Sequence, residues 1–394
     1  MNVDRLRAET PGVDEVVHLN HAGSSLPPRA VTDTVVDHLR LEARIGGYEA
    51  ADVVADRLEA VYGSIARLLG ASADEIALTD SATRSWGMAF SAFGFAPNDR
   101  ILTSRSEYAS NVIALLQAAR RDGVEVVPVP DDRFGQLDVA ALEALVDERT
   151  RLIAVTHVPT GNGLVNPAGA VGEVARRHGV PYLLDACQSA GQLPLDVEAL
   201  GCDLLTGTGR KFLRGPRGTG FLYVRRAFLD GLEPRVLDLR GATWDRRDGY
   251  TPRPDARRFE YWESSIAGRL GLGAAVEYAL GIGLDAIRDR IGALAAGLRE
   301  RLATIPEVEV TDTGMMRSGI VTWRHPRLEP SAVQTALAAL DPRVNVSTST
   351  AAATRYDFEA RDLAEVVRAS VHVITTEGEL DRFSDAVAGL VRRA

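Results

Sequence analysis

Short apolar runs alternate through the middle of the chain with segments whose apolar residues return every three to four positions. The runs at 76–79 (IALT), 100–104 (RILTS), 124–129 (VEVVPV), 152–158 (LIAVTHV), 181–186 (PYLLDA), 203–208 (DLLTGT) and 219–224 (TGFLYV) read as strands. Helical spacing follows the first run through Phe90 and recurs at about 110–121, 138–146 and 168–178. Strands so continuously apolar, separated by helices, predict a mostly parallel sheet buried on both faces, an α/β fold. Ahead of it, 1–26 reads as an arm with a strand, VVHLN, and a turn, HAGSSLPPR, where two prolines stop regular structure. Residues 29–70 carry two helical blocks, and the second sets Val53, Leu58, Val61, Ile65 and Leu68 on one face. Between the blocks, 45–49 reads as a loop presenting Tyr48. Residues 225–262 read as irregular and 264–303 as a long helical segment. Strands at 307–310, 319–323, 343–347 and 366–373, with helices at 330–340 and 376–392, then predict a small α+β unit.

Length fits this division: 394 residues exceed what one small core needs. The expected organisation is an arm (1–26), a large domain (27–285) and a small C-terminal domain (286–394). The net charge of −9, with no long basic run, argues against nucleic acid or an anionic membrane as partner. No apolar stretch is long enough for a spanning helix, and the N-terminus lacks a signal-peptide core, so a cytoplasmic location is expected. Two cysteines are too few for a disulfide framework, and no CxxC, HExxH or clustered ligand set suggests a metal site.

In such sheets ligands bind beyond the carboxyl ends of the strands. The residues there are Ser81 to Thr83, Glu107 and Tyr108, His157 to Thr160, Asp185 to Gln188, and Thr206 to Lys211. Lys211 is the sole lysine in the chain; the other 44 basic residues are arginine. Arginine neither forms a Schiff base nor loses its proton near neutrality, whereas a lysine amine does both where its surroundings disfavour the ammonium form. Asp185 ends a buried run, and Ser81 and Thr83 stand at a strand-to-helix turn, where free N–H groups favour a phosphate. An amine, a buried carboxylate and a phosphate cradle are the parts a pyridoxal 5′-phosphate site needs. The glycine-rich stretch around Lys211 fits neither a dinucleotide fingerprint, since Phe212 takes the third glycine position, nor a P-loop, since the lysine sits in R-K-F.

The motifs ILTSRSEYASN, VTHVPTGNGLVNP, LLDACQSAGQ, GTGRKFLRGPRGTG, RRFEYWES and VVRASVHV resemble those of the class V aminotransferase group of fold-type I pyridoxal-phosphate enzymes. That group includes cysteine desulfurases, isopenicillin N epimerase-like proteins and ergothioneine-type C–S lyases. The resemblance, from about Leu19 to Arg392, implies that Lys211 is the Schiff-base lysine, Asp185 the ring-nitrogen partner and Gln188 the neighbour of the ring hydroxyl. Tyr108 stands where many members have a histidine stacked on the ring, and Ala82 and Thr83, after Ser81, fall at the phosphate-binding turn that Thr208 and Arg210 complete. Thr160 stands where the group has an asparagine near the ring hydroxyl. Arg368 matches the arginine for the substrate carboxylate, and Asn20, His21, Ala22 and Gly23 fall on the substrate loop, with Tyr48 as a further contact. Glu263, Ser264 and Ser265 match a segment that reaches the phosphate of a neighbouring subunit, so a homodimer with shared sites is implied. One departure bears on activity. The small-domain loop at 347–359, STSTAAATRYDFE, lacks the catalytic cysteine of the desulfurases. The chain is therefore expected to be a C–S β-lyase acting on an S-substituted cysteine. Transamination, epimerisation and oxidative or decarboxylating chemistry are its alternatives, and a non-catalytic sensor is disfavoured by the joint retention of Lys211, Asp185 and Arg368.

Overall fold

The computed structural model describes all 394 residues. A seven-stranded sheet runs in the order Ile76–Thr79, Gly220–Val224, Leu204–Thr208, Tyr182–Asp185, Thr150–Thr156, Arg100–Ser104, Glu125–Val129. Every pairing is parallel except the two made by Gly220–Val224. The central strands are buried along their whole length, which is why their sequences are continuously apolar instead of alternating. Leu183 and Leu204 pack into one layer, and their neighbours Leu184 and Leu205 into the other. Pro128 lies on the outermost strand, where its missing N–H costs no ladder bond.

The second unit is a four-stranded antiparallel sheet, Glu309–Val310, Ile320–Arg324, Glu365–Ser370 and Ser347–Thr350. Arg368 lies on its third strand, opposite Thr322 and Ser347. The N-terminal arm joins this unit: Val16–His18 pairs in parallel with Arg343–Asn345, and Asn20 bridges to Ser370. One continuous apolar cluster runs from the large sheet into the small unit, taking in Leu205, Ile291, Val367 and Val387.

Several expectations need correction. The stretch at 45–49 is not a loop: only Gly46, at φ 99°, interrupts two helices, Arg29–Ile45 and Gly47–Val53. A second break at Val54 turns Val54 inward and leaves Val53 68% exposed. The long segment is two helices, Ile266–Ile282 and Leu284–Ala303, which meet at 80° at Gly283. That bend falls beside the domain boundary expected at 285. Within 225–262 lies a hairpin, Ala242–Arg246 with Gly249–Pro252. The run at 343–347 divides into Arg343–Asn345 and Ser347–Thr350, which join different sheets, and Arg355–Ala360 adds a helix. No single helix is long and apolar enough to cross a membrane.

Candidate active site

Lys211 sits just past the end of Leu204–Thr208, in a turn closed by backbone bonds from Gly209 N–H to Thr219 C=O (3.1 Å) and from Gly215 N–H to Gly209 C=O (2.7 Å). A Cβ on Gly209 would lie 2.3 Å from Thr219 Oγ1, so only glycine lets the two sides of this turn meet. Burial lowers Lys211 from 10.5 to about 8, and Arg210 and Arg368 push the same way against the opposing Cys187 and Asp185. The amine is thus poised near neutrality.

Lys211 lines one cleft with Ser81, Ala82, Thr83, Tyr108 and Thr160, and with Asp185, Gln188 and Arg210. At one end, Ser81 caps the helix Ala82–Ser91 by accepting from Arg84 N–H (3.2 Å), which leaves the Ala82 and Thr83 N–H groups of the first turn available. The turn lies against Gly220, whose Cβ would stand 2.6 Å from the Ser81 carbonyl carbon. Arg210 Nη1 donates to Thr208 Oγ1 (3.1 Å) on the same side. At the other end, Asp185 Oδ1 accepts from Cys187 N–H (2.9 Å) and Oδ2 from Asn111 Nδ2 (2.9 Å).

The arm completes the wall. Gln188 Nε2 donates to Ala22 C=O (3.2 Å), Ala22 N–H to Ser370 Oγ (2.9 Å) and Ser25 N–H to Arg210 C=O (2.9 Å). Gly23 folds tightly over Asn20, its N–H donating to the Asn20 carbonyl (3.0 Å). Arg368 is buried, with Nη1 donating to Thr160 Oγ1 (2.6 Å) and Nη2 to Asn20 Oδ1 (3.3 Å). Its burial lowers it to about 10, which leaves it charged at neutral pH.

Five of the sequence-selected residues stand apart from this cleft. His21 is fully buried beneath the arm, bonded to Ser25 Oγ (2.9 Å) and packed between His18 and His372. Tyr48, Glu263 and Ser264 line a different cavity, beside Trp262. Ser265 caps the helix Ile266–Ile282 by accepting from Gly268 N–H (3.0 Å). Asn111 and Thr156, not singled out from the sequence, do line the cleft. The signal for Asn111 was its spacing from Glu107, one helical turn away.

Among the buried polar atoms without a partner in the chain, two belong to side chains that wall this cleft: Gln188 Oε1 and Arg368 Nε. Buried groups of this kind are normally satisfied, so at a cleft each is a place that a ligand atom would satisfy. Together with the free N–H pair at 82–83, the poised amine and the held carboxylate, they fit pyridoxal 5′-phosphate at one side of the cleft and an amino-acid carboxylate at the other.

The family profile described as Aminotransferase class-V matches residues 17–383. The chain is 29% identical to a probable cysteine desulfurase of Halalkalibacterium halodurans, over 97% of this chain and 96% of that one. It is 31% identical to a cysteine desulfurase of Dickeya dadantii, over 82% and 81%. Among solved structures, the apo cysteine desulfurase of Thermococcus onnurineus NA1 superposes with a TM-score of 0.93 at 26% identity, covering 100% of this chain and 99% of that one.

Proposed function

The chain belongs to the aminotransferase class-V family, and from that premise we propose that this pyridoxal 5′-phosphate enzyme is a C–S β-lyase cleaving an S-substituted cysteine. Lys211 would carry the cofactor's aldehyde carbon, Asp185 its ring nitrogen and Gln188 its ring hydroxyl. The turn at 81–83 would hold the phosphate with Thr208 and Arg210. Bound there, the group supplies an electron sink for the charge left at Cα when its proton is removed. The Arg368 fork, now occupied by Thr160 and Asn20, grips the substrate carboxylate. The Lys211 amine takes the Cα proton, for which a value near 8 suits it. Asp185 keeps the proton on the ring nitrogen. A thiolate leaves Cβ, and the remaining three-carbon fragment takes up one water and ends as pyruvate and ammonia.

The observation that carries elimination over sulfur transfer is the loop at 347–359. It closes on the cleft, with Ala353 C=O accepting from Ala109 N–H (3.0 Å) beside Tyr108, yet it holds no cysteine. Of the two thiols present, Cys202 is buried and pushed up to about 12 by that burial. Cys187 lines the cleft, but burial, together with the charge of Asp185, raises it well above the ordinary thiol value, so it is no ready nucleophile.

A second reading, desulfuration of free cysteine, draws on the activity in the relatives' names and needs Cys187 as sulfur acceptor. One assay separates the two. S-substituted cysteines should give pyruvate and free thiol in equal amounts with no keto acid added. Alanine from free cysteine, with sulfur retained on Cys187, would establish the second reading instead, and turnover only with a keto acid acceptor would indicate transamination.

We also propose a homodimer. The helices Arg29–Ile45 and Gly47–Val53 expose Leu39, Ile45, Tyr48 and Val53, and Trp262 stands exposed beside the cavity shared by Tyr48, Glu263 and Ser264. Exposed apolar side chains clustered along two consecutive helices are what a twofold partner would cover.

A further inference from the structure

Asp185 does not stand alone. One hydrogen of the Asn111 amide goes to Asp185 Oδ2 (2.9 Å), and the same nitrogen donates to Glu107 Oε1 (2.8 Å). Glu107 is buried in the loop after Arg100–Ser104, two strands from that of Asp185, and gathers further donors: Thr156 N–H (2.8 Å), Tyr108 N–H (3.0 Å), Thr103 Oγ1 (3.3 Å) and the Thr156 hydroxyl. Two carboxyl groups therefore share one amide in a sealed polar network. A second buried carboxyl is costly, and stitching the Thr156 strand to the loop needs only a neutral acceptor. Its retention one amide away from Asp185 calls for a reason connected with Asp185.

We propose that Glu107 is a positioning residue for the cofactor's ring nitrogen, fixing Asp185 through the Asn111 amide and adding negative potential that keeps that nitrogen protonated. This rests on the pyridoxal 5′-phosphate reading of the cleft. An amide that already serves Glu107 is a weaker donor to Asp185, so Asp185 stays a stronger acceptor toward the ring N–H. Lys211 and Arg210 are the cations that line the cleft with Asp185, and their field would otherwise favour losing that proton. The buried neighbours Tyr182, Cys187 and His157 are neutral at pH 7. Burial pushes Tyr182 and Cys187 well up, and it pulls His157 down to about 4. Burial likewise raises Glu107 itself to about 7, the Thr156 bond opposing and the Asp185 charge adding. The extra negative charge is thus present above that pH and fades below it.

The test uses the holoenzyme loaded with cofactor labelled with 15N in the ring. Wild type, Glu107→Gln and Asn111→Leu are compared by the ring-nitrogen shift across pH, with circular dichroism and cofactor stoichiometry confirming folded, loaded protein. In wild type the pyridinium signal should persist into alkaline solution. In both variants it should be lost at a pH lower by about one unit or more. Turnover should fall about tenfold with KM held within about twofold, and Glu107→Asp should recover part of the shift. Should Glu107→Gln not fold, Asn111→Leu and Glu107→Asp make the same measurement. Folded, loaded variants whose ring nitrogen tracks wild type would overturn the proposal. A wild type that takes up no cofactor would overturn the cofactor reading and this proposal together. A wild type that binds the label but yields no pyruvate would overturn only the lyase assignment.

Discussion

In the proposed function Lys211 is the residue on which the chemistry turns, and its environment makes a prediction about pH. Burial lowers its amine from 10.5 to about 8, so the free base, the form that captures an aldehyde, predominates above about pH 8 in the cofactor-free protein. The rate of covalent capture of pyridoxal 5′-phosphate, read by borohydride trapping and mass, should climb through pH 8 and then level. A climb centred near 10 would show that the amine is solvated. The sign for stability runs the same way. Between about 8 and 10.5 the unfolded chain holds a proton that the folded chain has lost, so the cofactor-free protein should gain stability across that window, and Lys211→Met should lose the gain. This residue was legible in the sequence because a chain that is otherwise all arginine keeps one amine. The partnership of Glu107 was not. Its carboxyl reaches Thr156, 49 positions along, and contacts between strands leave no local pattern to read.

At the level of elements, the turn proposed to hold the phosphate depends on how closely two strands approach. Gly220–Val224 runs antiparallel beside Ile76–Thr79, and the chain leaving Thr79 folds over Gly220 before the helix Ala82–Ser91 begins. A Cβ at Gly220 would stand 2.6 Å from the Ser81 carbonyl carbon and 2.7 Å from Ala82 N. These are backbone atoms, which cannot give way as a flexible side chain does. Gly220→Ala should push the turn outward, at about 1–3 kcal/mol of overpacking. It should weaken pyridoxal 5′-phosphate binding by about tenfold or more while leaving capture of pyridoxal, which has no phosphate, near wild type. Equal losses for both ligands would show that the turn does not hold phosphate. The strands of the large sheet were legible because burial on both faces makes each a continuous apolar run. The hairpin at Ala242–Arg246 and Gly249–Pro252 was hidden for the converse reason. It is largely exposed, so its sequence carries no alternation. The helix Gly47–Val53 was missed because two glycines suggested a loop where only Gly46 departs from helical geometry.

For the whole molecule, the decisive question is whether one chain makes a complete site. Tyr48, Glu263 and Ser264 line a cavity apart from Lys211, with Trp262 exposed beside them, and Leu39 and Val53 are exposed on the helices that carry and precede Tyr48. If a twofold partner covers this face, those residues meet the partner's cleft while the partner's copies meet this one. Light scattering should give a dimer, and Tyr48→Glu should weaken it. Shared sites make a sharper prediction that a mere contact would not. Lys211→Ala removes the amine from a chain's own cleft, and Ser264→Trp would obstruct the cleft of its partner, so each homodimer should be inactive. When the two variants are unfolded together and reassembled, about half of the dimers are hybrids. In a hybrid both defects fall on the same cleft, because the chain lacking the amine receives the blocking tryptophan, and the other cleft is intact. Activity should therefore return to about a quarter of wild type. Were Ser264 to act on its own chain's site, the hybrid would have one defect in each cleft, and mixing would restore nothing.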